Sequence, residues 1–528
     1  MPGSLVPLMA RFSAILLLLS ATLRAAEPVD PQPTARQLPA TGPFVEYLAP
    51  VDAIMRSTMT EHHTLSGTIA LMIDGRLVLR EGYGWSSADC TIVTHPDTLF
   101  RLASVSKTLT HSAIEKLIQA GAIKRDMLVY PYLKIAPWGG RLGDERIAQI
   151  TVEQLLNHSG GWKGGGKPND WVFRTVEISK AMKLDHPAGP REVISWVFSK
   201  PLDFAPGKET AYSNFGYMLL GRVIERASGK SYTNYIQQDL LGPSAVNNTI
   251  GFKNVIQSRS RPRDLAPWET WYTYKRDHSR MPSAVDYPKN ITASFCTGGY
   301  YFESFDSFGG LTASAAGLSK YTQDYWVGGG RRDKRANYHW TYTFFGELPG
   351  AVTVIHQDIA QAAGRIRGLE FVALFNGGTG EKPPSNAVSD ALLEYWKRNK
   401  PTAEASLADH GDVQWENARE TIAPNQRSVT VRLVRSGNLS LAARVSYAAY
   451  IKAPSSAGRE TSGKLPSGII EFGPRESKKE VTINLGNNAE IAKDLPREPL
   501  LLELISASEG AALGNRCTCI LTRAAAVK

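Results

Sequence analysis

Asp97-Thr-Leu-Phe-Arg-Leu-Ala-Ser104-Val-Ser-Lys107-Thr108 is the stretch whose reading decides the fold. From Ser104 to Ala120 the pattern becomes helical: Leu109, Ala113, Ile114, Leu117 and Ile118 recur at helical spacing, and Gly121 ends the run. Ser104 then stands in the first turn, and Lys107, three residues on, shares its face. A serine hydroxyl is a poor nucleophile until a neighbouring base takes its proton. The start of a helix adds backbone N–H groups and positive potential, both useful to a developing oxyanion. Four residues of the form S-x-x-K also suit a helix cap followed by a solvated lysine, so the motif needs support from elsewhere in the chain. Ser106 is a rival nucleophile, but it adjoins Lys107 and does not face it.

Working outward, Gly67–Ile73 and Arg76–Glu81 are β-rich runs flanking Asp74-Gly75, a strong hairpin signal. A helix is expected over roughly Phe44–Met59, and several amphipathic helices between 150 and 240. The Gly-rich segment 160–170 lacks the Gly-Lys-Ser/Thr ending of a phosphate loop and reads as a flexible loop. Ala351–Ile355 and Leu369–Phe375 read as strands, and Asn386–Lys397 as a helix with Val388, Leu392, Leu393 and Trp396 on one face. Strands at both ends with helices between imply an α/β (α+β) domain over 46–399, its antiparallel sheet completed by both ends and flanked by helices. After a linker at 400–412 come short β runs: Ser428–Val434, Arg444–Tyr450, Gly468–Phe472, Glu480–Leu485, Leu500–Ile505 and Cys517–Thr522. They predict a β-sandwich over 413–525.

The chain has 528 residues, which suits two or three domains. Its net charge of +10 arises from 60 basic against 50 acidic residues without any long Lys/Arg run. That reads as a solvated surface and argues against a nucleic-acid partner. Arg11 precedes the apolar run Phe12–Leu19 and the small-residue segment up to Ala26. Residues 1–26 therefore read as a secretory signal peptide, or an anchor if uncleaved, and predict a secreted or periplasmic protein. Residues 27–45 are Pro-rich and read as a linker. Of the four cysteines, Cys517 and Cys519 are too close in sequence to pair without strain, so buried free thiols are expected. A Cys90–Cys296 pair stays open.

The nucleophile segment resembles that of the serine β-lactamase and penicillin-binding family, most nearly its class C β-lactamase, D-alanyl-D-alanine carboxypeptidase and esterase branch. Ile150–Gly160, with Leu155-Leu156-Asn157-His158-Ser159-Gly160, and Pro206–Gly221, with Tyr212-Ser-Asn214, resemble two further family segments in the same order. The resemblance implies a helical lobe carrying Tyr212, a nucleophilic Ser104, and Lys107 and Tyr212 as its activators. The Lys107 charge is expected to lower the phenol pKa. It also implies a substrate contact by Asn214, and a structural place for His158 at a helix end rather than a Ser-His-Asp triad.

One family segment departs. The expected Lys-Thr-Gly or His-x-Gly corresponds here to Phe344-Phe345-Gly346. Phe344 replaces the cationic or imidazole side chain, whereas Gly346 still permits close approach, and the N–H of Glu347 is expected to complete an oxyanion hole with that of Ser104. His339 and His356 are candidates to replace the missing group. Gly309–Leu318 is assigned a structural role. The C-terminal sandwich resembles a Calx-β module through Val429–Gly437, Ser467–Pro474, Lys479–Ile483 and Glu503–Gly514. Its loops 457–460 and 487–494 are thin in acids for a hard cation, so a spacer or adhesion role is expected.

The sequence therefore predicts acyl transfer through Ser104 to water, with no metal or organic cofactor. The expected substrate is a small ester, a D-amino-acid or cell-wall peptide, or a β-lactam-like amide. A catalytically weakened protein that binds such ligands without turnover is the alternative.

Overall fold

The computed structural model describes residues 38–42 and 48–241 apart from 87–92, 97 and 165–169; 256–257 and 269–270; 280–399 apart from 295, 297, 334–335, 363–364 and 378–382; and 411–523 apart from 418, 424–425, 438, 441, 452–466, 485–499, 508–510 and 514–517. The leader 1–26, the linker 400–410, Cys90, Cys517 and the acid-poor sandwich loops lie outside the described residues.

The elements that place the site are, in chain order, β1 (Ala40–Thr41), α1 (Ala49–Glu61), β2 (Ser66–Ile73), β3 (Arg76–Gly84), α2 (Ser106–Gln119), α3 (Val152–Leu156), α4 (Asn214–Ser228), β4 (Tyr338–Leu348), β5 (Ala351–Ala362), β6 (Arg365–Phe375) and α5 (Pro384–Asn399). The six strands form one antiparallel sheet in the order β1-β3-β2-β6-β5-β4. Both ends of the domain build it, as the sequence predicts. The β2–β3 turn has Asp74 and Gly75 at φ 53° and 76°, the pair of positive values that a two-residue hairpin requires. At the β4–β5 turn, Pro349 presets the first central residue and Gly350 takes the second at φ 77°.

Alternation along the strands separates two cores. Val352, Val354, Phe371 and Ala373 pack with Val51, Met55 and Val388 of α1 and α5. Ile355, Val372 and Leu374 face the opposite way, onto α2 and the helical lobe. That lobe contains α3 and α4 with further helices at Thr175–Ala181 and Pro190–Phe198. Among the described residues no helix is long and apolar enough to cross a membrane.

Two linker boundaries differ from the sequence reading. Ala40–Thr41 lies inside the stretch read as a linker, yet it pairs with Tyr83 and Gly82 as the edge strand β1. A strand Gly411–Trp415 likewise begins within 400–412. The first, of two residues, is too short for side-chain periodicity to mark it and is a strand through main-chain pairing; the second buries Val413 and Trp415 in alternation but is only five residues long.

Beyond Gly411 two further sheets share one apolar core. Continuing the numbering, they are built from β7 (Gly411–Trp415), β8 (Arg419–Ile422), β9 (Ser428–Gly437), β10 (Ala443–Ile451), β11 (Ser467–Phe472), β12 (Lys478–Asn484), β13 (Leu500–Ala507), β14 (Ala511–Leu513) and β15 (Thr518–Arg523). The orders are β12-β9-β7-β14 and β8-β15-β13-β10-β11. The six predicted runs all fall on strands; β7, β8 and β14 were missed because they are short. Cys519 is a buried free thiol in this core. Trp415 is fully buried and meets Tyr447 edge-on at 6.3 Å. Trp415→Ala is expected to destabilise the sandwich by about 3–5 kcal/mol. Urea denaturation combined with hydrogen exchange of the sandwich strands measures this, and unchanged protection there would contradict a core role for the indole.

Candidate active site

Ser104 sits in a 3-10 turn, Ala103–Val105, that leads directly into α2. Ala103, immediately before it, has φ 48°, a left-handed conformation disfavoured for a residue with a Cβ. The turn is held from beneath. Thr353 Oγ1 of β5 donates to the Leu102 carbonyl at 2.9 Å, and Leu102 N donates to Leu311 O at 2.8 Å. Ser106, the rival serine, is fully buried and its Oγ accepts from Leu311 N at 3.3 Å. It has no route to a substrate.

Lys107 is the most constrained polar group in the site, with 1% of its surface exposed. Its Nζ lies 2.7 Å from Asn214 Oδ1, 2.7 Å from the Phe308 carbonyl and 3.2 Å from Ser104 Oγ. Two of these partners can only accept, whereas the third is a hydroxyl. A neutral amine therefore satisfies both acceptors with its two N–H bonds and turns its lone pair to Ser104. Burial favours that form: desolvation drives the Lys107 pKa well below the usual lysine value, partly opposed by the negative charge of Asp170.

Tyr212 closes the arrangement, its hydroxyl donating to Ser104 Oγ at 2.7 Å. The ring forms a wall of the cleft with 37% of the residue exposed, and Lys107 Nζ lies 4.8 Å from its centroid. The expectation that a Lys107 charge lowers the phenol pKa is corrected by the structure. Surrounding protein pushes the Tyr212 pKa up, the hydrogen bond to Ser104 opposes this, and Asp170 adds to it. The resting pair is thus a protonated phenol beside an amine disposed to lose its charge.

Asn214 begins α4, whose preceding Ser213 side chain caps the helix by accepting from Gly216 N. The Asn214 Nδ2 donates to Asp170 Oδ2 at 2.8 Å, which turns its Oδ1 toward Lys107. His158 lies just beyond the end of α3 at φ 54°. It accepts from Ser213 N at 3.1 Å and stacks near Tyr212 and Tyr217. Burial, aided by nearby positive charge, lowers its pKa to about 4. A neutral imidazole that supports the Tyr212 segment matches the structural place expected for it.

Ser104, Tyr212 and Asn214 open on a cleft of about 730 Å³ lined also by Phe173, Tyr300, Phe308, Phe344, Gly346, Glu347 and Leu348. Phe344 is half-buried and stacks on Tyr342 at 6.3 Å, so the position expected to carry a cation presents an apolar wall. Neither histidine replaces it. His339 is exposed and pairs with Asp358 at 3.2 Å; His356 is buried, bonded to Thr343 Oγ1 at 2.7 Å, with burial lowering its pKa to about 4. Neither lines the cleft. Sequence reading also overlooked three contributors. Asp170 lies at the end of a loop with no recognisable motif. The Phe308 carbonyl is main chain and carries no residue signal, and Gly309, assigned only a structural role, lines the cleft beside it. Among the described residues no three His, Cys, Asp or Glu side chains are grouped to hold a metal ion.

Gly346 is where edge strand β4 approaches Ser104. A Cβ there would fall 2.5 Å from the Leu102 carbonyl, 2.5 Å from Thr353 Oγ1 and 3.0 Å from Ser104 N. Two of these neighbours are backbone and cannot swing aside. Gly346→Ala is expected to force β4 away from the Ser104 turn at about 1–3 kcal/mol. Thermal unfolding against Gly330→Ala, where the same atom meets only Trp326 Cδ1 at 3.8 Å, provides the control; equal melting temperatures would refute the close approach.

The chain is 29% identical over 202 residues to Protein flp of Staphylococcus aureus, covering 38% of this chain and 37% of that protein. It is 27% identical over 221 residues to Penicillin-binding protein 4* of Bacillus subtilis, covering 41% and 44%. The matched segments thus span less than half the length of these curated relatives. The octameric penicillin-binding protein homologue from Pyrococcus abyssi aligns over 87% of this chain and 98% of that one, with 18% identity and a TM-score of 0.47. The sequence profile of the family described as Beta-lactamase matches residues 51–353, more than half of the chain, so this protein belongs to the Beta-lactamase family.

Proposed function

We propose that this protein is a serine hydrolase that forms an acyl-enzyme at Ser104 on uncharged esters or amides, D-amino-acid peptides included, and passes the acyl group to water. The observation that carries this reading is the convergence of Tyr212 O at 2.7 Å and Lys107 Nζ at 3.2 Å on one cleft-lining hydroxyl. The neutral Lys107 amine accepts the Ser104 proton as Oγ bonds to the carbonyl carbon. Negative charge collects on the carbonyl oxygen, where the N–H groups of Ser104 and Glu347 serve as the expected donors. Tyr212, held protonated, gives its proton to the leaving oxygen or nitrogen and regains one from the ammonium that Lys107 has become. Water then attacks the acyl-enzyme, and the same groups return the proton to Ser104.

The cleft wall supports the substrate class. Phe344 stands in place of a cation, and among the described residues that line the cleft Glu347 is the only Asp, Glu, Lys, Arg or His. A carboxylate-bearing β-lactam would lose hydration against that aromatic wall, where Phe344 offers no counter-ion. The same departure favours a second reading, a protein that captures cell-wall peptides or related ligands without turnover. We also propose export through a leader over 1–26, which would deliver the chain to extracellular or periplasmic substrates on either reading. For the Calx-β-like sandwich we propose a spacer or adhesion role.

Fluorophosphonate labelling and a panel of nitrophenyl esters test the proposal. Wild type is expected to label and turn over, with Ser104→Ala silent in both; labelling without ester turnover would select the ligand-capturing reading, and no labelling would end the hydrolase one. Activity is expected to rise as pH passes upward through the depressed Lys107 pKa, because the base is its neutral form. An acid limb at the ordinary lysine value near 10.5 would contradict that base. Phe344→Lys is expected to improve kcat/KM for a carboxylate-bearing amide relative to its methyl ester by on the order of tenfold. An unchanged ratio would remove position 344 from substrate selection.

A further inference from the structure

Asp170 closes the Gly-rich segment that the sequence offers no use for, and only 3% of its surface is exposed. A carboxylate this deep is stable as an anion only when hydrogen-bonded. Its Oδ2 accepts from Asn214 Nδ2 at 2.8 Å, and its Oδ1 accepts from Val172 N at 3.4 Å, at the start of the 3-10 turn Trp171–Phe173. Backbone crowds it from the other side: a Cβ on Gly164 would lie 2.8 Å from Oδ2. The far side of the Asn214 amide meets Lys107 Nζ at 2.7 Å. A carboxylate, an amide and an amine thus stand in line behind Ser104.

Of these three groups only the amide changes what it offers its neighbours when reversed, since the turn exchanges its acceptor oxygen for its NH2. Turned by half a rotation, Asn214 would aim its NH2 at Lys107 and place an oxygen against Asp170. An anionic carboxylate accepts hydrogen bonds and offers none, so it forbids that orientation. We propose that Asp170 is a positioning residue for the hydrolase: it locks the Asn214 amide and, by its negative charge, keeps the buried Lys107 amine a strong enough base. This inference rests on the acyl-enzyme reading above.

The other described groups facing Lys107 do not supply this charge. Asn214 and Phe308 present uncharged oxygens, Tyr212 and Tyr217 are phenols held protonated, and His158 is neutral above about pH 4. Burial alone would weaken the amine as a base, and a proton acceptor far weaker than its task demands slows transfer. Asp170 opposes that loss and also raises the Tyr212 pKa, which keeps the leaving-group donor protonated.

Two variants of the full-length chain separate the roles. Asp170→Asn keeps an oxygen for Asn214 and removes the charge; Asp170→Ala removes both. The readout is the rate of fluorophosphonate labelling of Ser104 across an acid-to-alkaline pH series, with circular dichroism to establish folding. For Asp170→Asn the acid limb is expected to move down by roughly one pH unit, because loss of the anion lowers the Lys107 pKa. For Asp170→Ala the plateau rate is expected to fall by a further factor on the order of ten, as Asn214 loses its orientation. Coincident pH profiles in wild type and Asp170→Asn would overturn the charge role, and that isosteric variant decides the matter even if Asp170→Ala fails to fold. Labelling absent from wild type would overturn the acyl-enzyme reading itself, an outcome distinct from labelling with an unmoved acid limb.

Discussion

Burial of the Lys107 amine is the constraint on which the site depends. A charged ammonium in such a place loses its hydration and stands at the start of α2, where the helix potential is positive. Neutralisation relieves both penalties, provided every remaining hydrogen-bonding direction is filled. The fold fills them from separate parts of the chain: α4 supplies Asn214, the segment before Leu311 supplies the Phe308 carbonyl, and the turn before α2 supplies Ser104. Long-range packing, not local sequence, thus disposes the lysine to its neutral form.

The supports of that amine are themselves held by buried polar links. Arg222 of α4 reaches Asp306 at 2.5 Å, and Asp306 Oδ1 accepts from Ser307 N at 2.6 Å. Thr110 of α2 donates to the Ser307 carbonyl at 2.5 Å. Phe308 is therefore tied to both helices that bear site residues. On the opposite side Thr353 Oγ1 reaches the Leu102 carbonyl, and Gly346 leaves room for the strand to close. Helical lobe and sheet meet at the Ser104 turn, and either one displaced would open the network. This explains why the nucleophile sits on a 3-10 turn with a strained alanine before it: the turn is fixed from both sides, and that fixation holds Ala103 at positive φ.

What was legible in the sequence follows from what periodicity and spacing encode. The β2–β3 hairpin was readable from its Asp-Gly turn, β5 and β6 from short apolar runs that are buried on both faces, and α2 and α5 from apolar residues at helical spacing. Ser104 and Lys107 were readable as a pair because three residues along a helix is a fixed distance. Tyr212 and Asn214 were not readable from their own surroundings; they lie more than a hundred residues from Ser104, and only the family resemblance singled them out. Asp170 and the Phe308 carbonyl escaped altogether. One follows an unpatterned loop and the other is backbone, so their importance arises only from tertiary placement. Edge strand β1 escaped for a related reason, since two residues carry no period.

The site divides into a part that cannot vary freely and a part that can. Lys107, Asn214 and Asp170 are buried and mutually bonded, so exchanging one strands a polar partner in the interior, at a cost of several kcal/mol for a charged group. Phe344 faces the open cleft, bonded to nothing and resting on Tyr342. A lysine there would lose an apolar contact yet keep its head group in solvent, which the fold can absorb. Activation of the nucleophile and choice of substrate are therefore physically separable here. On the proposed reading, an aromatic ring where the family resemblance leads one to expect a cation suits the cleft to uncharged acyl groups while leaving Ser104, Lys107 and Tyr212 as they stand. The intact buried network is thus the stronger guide to chemistry, and the altered wall the stronger guide to what enters.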